Sequence, residues 1–136
     1  MKAYLKQIKG NTYIGKAESN HWVSFDTSKI DGGHAASTSP MEMVLLALAA
    51  CSSVDVEIIM KKKREPLDHF EVFIEGERAD EHPRVYTKIH LKFHFYGGSI
   101  RIESANQALD LSFTKYCSVA GMVGKTAEIT WSVEIN

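Results

Sequence analysis

One segment constrains the fold more than any other, the apolar run SPMEMVLLALAAC that begins at Ser39. Ser39 is a good N-cap, Pro40 suits the first helical position, and Glu42 follows three residues after Ser39, which completes a capping box. Pro66 cannot continue a helix because it lacks a backbone N–H. The sequence therefore predicts one long helix from Ser39 to about Arg64.

The composition of this helix predicts where it lies. Its first half is apolar on every side, which predicts burial on all sides. The apolar run Met43–Cys51 is far shorter than the ~20 residues that cross a bilayer, so we expect no membrane partner. Cations at the C-terminal end, Lys61–Arg64, suit the negative end of the helix dipole and are interpreted as a solvated surface.

Strand patterns flank the helix on both sides. LKQIK, TYIGKA and HWVSF are short, β-prone and separated by turn residues, which predicts an antiparallel meander, followed by a loop at Asp31–Ser39. Two strands are predicted after the helix, at His69–Glu77 and Val85–Tyr96. The second alternates strictly, and its predicted core face consists of Val85, Thr87, Ile89, Leu91, Phe93 and Phe95.

The C-terminal third predicts a second helix and a last strand. Ser104 and Gln107 form another capping-box pattern, so the helix is expected to begin near Ser104. Its predicted apolar stripe is Ala105, Ala108, Leu109, Ser112, Phe113 and Tyr116, and Cys117 follows directly. The strand Ala127–Ile135 closes the chain. Helices on one side of a mainly antiparallel sheet make an α+β fold, expected here as a single domain over residues 1–136.

Composition excludes several classes of function. The 136 residues carry a formal net charge of −1, so no basic field suggests nucleic acid. The N-terminus MKAYLKQIKG lacks the apolar core of a signal peptide. Two cysteines are too few for a disulfide scaffold. We expect a cytoplasmic protein with reduced cysteines, and no motif for a nucleotide cofactor is present.

Cys51 and Cys117 are the residues that most suggest chemistry. A free cysteine in an apolar helix often serves as a small core residue. The dipole of the helix does not activate Cys51, which lies about three turns from its start. Asp55 lies one turn later on the same face, and its carboxylate would raise the pKa of a nearby thiol. The two cysteines form a redox pair only if their Cα atoms come within about 7 Å.

Metal binding by Cys51, Cys117 and a histidine is a rival interpretation. The six histidines are His21, His34, His69, His82, His90 and His94. His90 and His94 share a strand face but are roughly 13 Å apart at strand rise, so they cannot bind one ion together. No Cys-x-x-Cys pair or helical His-x-x-x-His motif occurs. The histidines and lysines of that strand are interpreted as a solvated or subunit-facing surface.

Three segments together resemble the OsmC/Ohr family of osmotically inducible and organic hydroperoxide resistance proteins. SPMEMVLLALAAC resembles the cysteine helix of the family, EHPRVYTKIHLKFHF its central strand, and KYCSV, Lys115–Val119, its second-cysteine motif. Order and spacing agree over nearly the whole chain. The match is closer to the OsmC-like branch than to typical hydroperoxide resistance proteins.

This resemblance implies an intertwined homodimer, with a curved sheet wrapped around long central helices. It implies that Cys51 attacks an organic hydroperoxide and becomes a sulfenic acid, and that Cys117 resolves it as a disulfide. A dithiol such as dihydrolipoamide, or a thioredoxin-like donor, would then reduce the disulfide. The apolar substrate would enter an interface pocket lined by Met41, Met43, Leu45 and residues of the partner.

The sequence departs from the family pattern at two activating residues. Met41 stands where typical members have a glutamate, and Glu42 lies one position later, which is about 100° around a helix. The chain has no arginine before Arg64, so the activating cation would be Lys29, Arg78, Arg84 or Arg101. These departures favour an alternative, a dimer that binds a small apolar or acyl ligand or senses redox state through Cys51.

Overall fold

Six strands and three α-helices make up the chain, and the computed structural model describes all 136 residues. The chain divides into two compact units, Met1–Val44 and Leu45–Asn136. Helix α1, Pro40–Lys62, begins in the first unit and continues into the second. Each unit is described by itself below.

The first unit contains the predicted antiparallel meander. Strands β1 (Ala3–Lys9), β2 (Thr12–Ala17) and β3 (Val23–Phe25) pair in the order β1-β2-β3. Gly10, with φ at +56°, makes the turn between β1 and β2, a conformation that favours glycine. The prediction of a small meander is confirmed.

A buried carboxylate fixes the loop after β3. Asp26 is fully buried, and its oxygens accept hydrogen bonds from the N–H groups of Thr27 (2.7 Å), His34 (3.1 Å) and Ala36 (3.0 Å) and from the Thr12 hydroxyl (3.1 Å). Burial raises the pKa of Asp26, but these donors outweigh it and lower the pKa to about 2. The ionised side chain therefore holds the loop that leads to α1.

Helix α1 begins with the predicted capping box. The Ser39 N–H donates to the Glu42 carboxylate at 2.7 Å, and the Glu42 N–H donates to the Ser39 hydroxyl at 3.3 Å. The hydrogen bond from Ser39 holds the pKa of Glu42 below its usual range. Glu42 is therefore a capping residue, as its position predicted.

The expectation that α1 is buried on all sides is wrong for the single chain. One stripe, at a spacing of four residues, is fully buried: Leu48, Ser52, Val56 and Met60. Another stripe at the same spacing is exposed: Leu46, Ala50, Val54 and Ile58. By length and composition α1 is also apolar enough to cross a membrane, a property shared by core helices of soluble proteins.

The second unit is built on a three-stranded mixed sheet. Strand β4 (Leu67–Arg78) pairs antiparallel with β5 (Tyr86–Gly97), and β5 pairs parallel with β6 (Glu128–Ile135). The predicted core residues of β5 are confirmed for Ile89, Leu91, Phe93 and Phe95. A parallel pair requires a long crossover, and the segment between β5 and β6 contains the remaining helices.

The predicted core face of β5 is wrong at the N-terminal end of the strand. Thr87 is exposed and Tyr86 is buried, because the register of β4 and β5 shifts between Glu77 and Arg78. Such a bulge inserts one residue and reverses which side chain points inward. The Tyr86 ring lies directly on Gly76, where an added Cβ would come within 2.7 Å of it.

Helix α2 spans Ile102–Leu111, and the capping box predicted at Ser104 and Gln107 does not form. A distant carboxylate caps the helix: Glu65, whose side chain is 2% exposed, accepts hydrogen bonds from the Arg101 N–H at 3.1 Å and the Arg101 Nε at 2.7 Å. The Ser104 hydroxyl also bonds Glu65 and, with the Arg101 N–H, lowers the pKa of Glu65. Gln107 accepts a hydrogen bond from Lys63.

The segment after α2 changes its helical geometry before Cys117. A π-helical turn spans Ser112–Tyr116, and a short helix α3, absent from the sequence prediction, spans Ser118–Val123. The wider turn displaces the stripe predicted from a regular helix. Ser112 stays buried, but Tyr116 is 51% exposed, so its prediction as a core residue is wrong.

Candidate functional site

The two cysteines differ in access to solvent. Cys51 lies near the middle of α1 and is half-buried, whereas Cys117 is only 5% exposed. Cys117 lies between the π-helical turn and α3, where its N–H donates to the Ser112 carbonyl at 2.7 Å. Its sulfur accepts a hydrogen bond from the Ala120 N–H at 3.4 Å. Backbone contacts therefore fix Cys117, and Cys51 is the thiol that a solute can reach.

The fold brings these two thiols together. Both are free thiols, and Cys51 lies close enough to Cys117 to raise its pKa. The sequence could not establish this contact, because Cys51 lies on α1 and Cys117 follows α2. Two neighbouring thiols can form a disulfide when an oxidant takes up two electrons.

The environment opposes ionisation of the buried thiol. Burial raises the pKa of Cys117 most strongly, and the neighbouring Cys51 and the charge of Asp55 raise it further. The Ala120 N–H lowers it in part, and the resulting pKa is about 11. Cys117 is therefore a neutral thiol at physiological pH that keeps its proton unless a neighbouring group accepts it.

Asp55 and Ser112 complete the group around the thiols. Asp55 lies four residues after Cys51 in α1, and its charge raises the pKa of Cys117, whereas the sequence analysis had linked Asp55 to Cys51 alone. The Ser112 hydroxyl, fully buried, donates to Asp55 Oδ2 at 2.9 Å. Sequence reasoning treated Ser112 only as part of the α2 stripe. A polar residue on an otherwise apolar stripe was the one available signal of its role.

The arginines proposed as activators in this unit are engaged elsewhere. Arg101 forms an ion pair with Glu65, with Nη2 and Oε1 2.6 Å apart. The Nε atoms of Arg78 and Arg84 donate to the backbone carbonyls of Arg84 and Ala79, respectively, in the β4–β5 connection. No cation contributes to the pKa of Cys117. Lys29 belongs to the first unit.

The histidines on β5 have partners on the outer face of the sheet. The two ring nitrogens of His90 contact the Thr130 and Ser132 hydroxyls at 2.7 and 3.0 Å, and His94 lies 3.6 Å from Glu134. No group of three or more His, Cys, Asp or Glu side chains has the arrangement of a metal site. The groups available for chemistry at the candidate site are two thiols beside a carboxylate.

The raised pKa of Cys117 predicts a difference in alkylation. A shift from 9.0 to about 11 lowers the thiolate fraction of Cys117 about 100-fold at neutral pH. Iodoacetamide at pH 7.5 is expected to modify Cys51 first and Cys117 about 100-fold more slowly than free glutathione. Peptide mass spectrometry measures both rates. Modification of Cys117 as fast as glutathione would contradict the assignment.

Comparison with known proteins identifies the family. The family model described as "OsmC-like protein" matches residues 32–132. Protein YhfA of Escherichia coli strain K12 is 39% identical over 135 residues, which cover 99% of this chain and 98% of that protein.

Solved structures share the fold. A hypothetical protein from Aquifex aeolicus VF5 is 30% identical, with a TM-score of 0.83 over 99% of this chain and 96% of that one. The organic hydroperoxide resistance protein OsmC from Legionella pneumophila is 12% identical, with a TM-score of 0.71 over 98% of this chain and 97% of that one. At that identity the likeness shows the fold alone. With its α+β fold and its match to the family model, this chain belongs to the family of OsmC-like proteins.

Proposed function

We propose that the protein is a cysteine-based thiol peroxidase that reduces organic hydroperoxides. One observation carries the proposal, the proximity of the thiols of Cys51 and Cys117. The reachable thiol and the buried thiol have the different exposures that an attacking and a resolving cysteine need. The hydroperoxide resistance protein from Legionella pneumophila, which has the same fold, supports the substrate class by analogy.

The reaction needs no group beyond the substrate and a dithiol. The Cys51 sulfur attacks the outer oxygen of the hydroperoxide, the O–O bond breaks, and an alcohol leaves as Cys51 becomes a sulfenic acid. Cys117 then displaces the hydroxyl as water and forms the disulfide. A dithiol such as dihydrolipoamide, or a thioredoxin-like donor, restores both thiols by exchange. The cycle reduces one hydroperoxide for each dithiol oxidised.

We further propose that the chain acts as one domain, residues 1–136, within a cytoplasmic homodimer. Proteins of this family are generally dimeric. The exposed stripe of α1 supports a dimer, because Leu46 is 54%, Val54 60% and Ile58 47% exposed. A contiguous apolar stripe of this kind is typical of a surface covered by another chain.

A charge placed in that stripe is expected to separate the subunits. Val54→Glu buries a carboxylate in an apolar interface, which costs several kcal/mol and weakens the dimer at least about 100-fold. Analytical ultracentrifugation over a dilution series measures the change, with Glu57→Gln as the control because Glu57 is already exposed on the same helix. A wild-type chain that sediments as a monomer at every concentration would contradict the homodimer.

One equivalent of oxidant tests the peroxidase proposal directly. Reduced protein treated with one equivalent of cumene hydroperoxide is expected to lose two free thiols per chain and release one equivalent of cumyl alcohol. Mass spectrometry of the unreduced digest should find Cys51 and Cys117 in one disulfide. Two thiols that persist through a tenfold excess of the hydroperoxide would overturn the proposal.

A second function has one observation in its favour. No cation contributes to the pKa of Cys117, and Asp55 adds a negative charge, which suits slow thiol chemistry. The alternative is a dimer that binds a small apolar or acyl ligand, with Cys51 as a redox sensor. A ligand that co-purifies in native mass spectrometry, together with no consumption of hydroperoxide, would favour it.

A further inference from the structure

Asp55 has a position that the two-cysteine scheme does not explain. It lies one helical turn after Cys51 and is half-buried, beside a thiol that is 5% exposed. A negative charge here opposes ionisation of Cys117. A thiol peroxidase would react faster without it if the charge had no other part in the reaction. The carboxylate therefore either slows the reaction or takes part in it.

The surroundings of Asp55 hold its carboxylate in one orientation. The buried Ser112 hydroxyl donates to Oδ2 at 2.9 Å, which leaves Oδ1 as the acceptor for another proton. The Ser112 carbonyl accepts the N–H of Cys117 at 2.7 Å. One residue thus ties the carboxylate and the backbone of Cys117 together. A hydroxyl bound on one oxygen limits rotation of the carboxylate and fixes which oxygen is available.

The backbone at Ser112 departs from regular helix geometry at this point. Ser112 begins the π-helical turn that ends at Tyr116, immediately before Cys117. π-helical turns are rare and occur frequently at functional sites. A regular continuation of α2 would place the residues after Ser112 at a different angle. The turn therefore sets Cys117 and Ser112 on the same side, towards α1.

The second chemical step needs a proton acceptor. Cys117 is a neutral thiol at physiological pH, since burial raises its pKa to about 11. Its sulfur must lose a proton to attack the sulfenic acid of Cys51, and the departing hydroxide must gain one. The charges that raise the pKa of Cys117 are those of Cys51 and Asp55, and no histidine or amine contributes to this pKa.

We propose that Asp55 accepts the thiol proton of Cys117 as its sulfur attacks the Cys51 sulfenic acid, and delivers that proton to the departing hydroxyl. The S–S bond forms, the S–O bond breaks, and water leaves. Asp55 ends the step as it began, so the balance needs no further reactant. Ser112 is a positioning residue that orients the carboxylate. The inference rests on the proposed peroxidase function and deepens it at the same site.

The proposal and a purely electrostatic role predict opposite results. If Asp55 acts only as a charge, Asp55→Asn removes one cause of the raised pKa of Cys117, and disulfide formation accelerates at neutral pH. If Asp55 transfers the proton, the same substitution removes the acceptor, and disulfide formation slows by about 100-fold. The sign of the change separates the two roles.

The experiment follows both steps in the full-length protein. Reduced wild type and Asp55→Asn receive one equivalent of cumene hydroperoxide at pH 7.5, and quenched samples are analysed for dimedone-trapped sulfenic acid and for disulfide. We expect Asp55→Asn to oxidise Cys51 at a rate within a few-fold of wild type but to accumulate the sulfenic acid. Disulfide formation as fast as wild type, or faster, would overturn the proposal.

Three further variants keep the test decisive. Glu57→Gln removes a carboxylate from an exposed position of the same helix and should leave both rates unchanged. Asp55→Glu retains an acceptor and should restore part of the disulfide rate, even if Asp55→Asn folds poorly. Ser112→Ala should slow the second step alone and lower its dependence on pH. Equal second-step rates in Asp55→Glu, Ser112→Ala and wild type would overturn the proposal.

The readouts also separate this proposal from the function on which it rests. If wild type forms neither sulfenic acid nor disulfide, the peroxidase function is wrong and the proton transfer falls with it. If wild type forms both and Asp55→Asn resolves at the same rate, only the role of Asp55 is wrong. Sulfenic acid that accumulates in Asp55→Asn alone supports both.

Discussion

Cys51→Ser is expected to reduce turnover of cumene hydroperoxide to the rate without protein, whereas Cys117→Ser is expected to preserve the first oxidation. A serine hydroxyl is not a nucleophile towards peroxide and has no reversible oxidation chemistry, so the cycle cannot start. The substitution is small, because it exchanges one atom at a half-buried position. Loss of activity would therefore report on chemistry and not on folding.

Cys117→Ser should stop the cycle after its first step. Cys51 still meets the hydroperoxide, but no thiol is present to displace the hydroxyl. The variant is expected to hold one dimedone-reactive sulfenic acid per chain and no intramolecular disulfide. A ferrous oxidation assay of residual hydroperoxide, run alongside intact-mass spectrometry, measures the two outcomes together.

The pair of variants also tests which cysteine attacks first. If Cys51→Ser were oxidised by one equivalent of hydroperoxide and Cys117→Ser were not, the two roles would be reversed. Cys51→Ser is also expected to change the reactivity of Cys117. Loss of the contact with Cys51 removes two of the causes that raise the pKa of Cys117, so the remaining thiol should alkylate faster than in wild type.

Features set by neighbouring residues were predictable from the sequence. The capping box of Ser39 and Glu42 forms within four residues, and the structure has α1 at Pro40–Lys62, close to the predicted bounds. The meander and the alternation of Ile89, Leu91, Phe93 and Phe95 also follow from local patterns. The OsmC-like fold followed from the resemblance and is confirmed by the family match.

Features set by distant residues were not predictable. Glu65 displaces the local cap expected at Ser104, because a nearly buried carboxylate offers the Arg101 N–H a stronger partner than a serine side chain. The bulge opposite Glu77 exchanges Tyr86 and Thr87 between the faces of β5. The alternation within a single strand does not show where its pairing with a neighbouring strand shifts.

The candidate site also combines a feature that local sequence predicted with one that depends on distant residues. Asp55 was placed beside Cys51 by helical spacing alone, four residues apart. The contact between Cys51 and Cys117 depends on how the segment after α2 turns, and the π-helical turn at Ser112 carries no sequence signature. Family resemblance supplied the roles of the cysteines, which stay proposals until the variants are measured.

Leu48→Ala is expected to cost about 2–5 kcal/mol of the free energy of unfolding, the range for a fully buried leucine. Leu48 is 0% exposed and heads the buried stripe that continues through Ser52, Val56 and Met60. The Ser52 hydroxyl donates to the Leu48 carbonyl at 3.0 Å. The turn of α1 that contains Cys51 is therefore also the turn that packs Leu48 and Ser52 into the core. Urea unfolding followed by circular dichroism measures the loss.

Leu46→Ala is the matched control, because it removes the same atoms from a side chain that is 54% exposed. Within the single chain, such a change is expected to cost less than about 0.5 kcal/mol. A larger cost must come from a partner chain that covers Leu46, and it must then grow with protein concentration. The cost of Leu48→Ala has no such dependence, since other residues of the same chain bury Leu48. Equal costs for the two variants at every concentration would contradict the assignment of a buried and an exposed stripe.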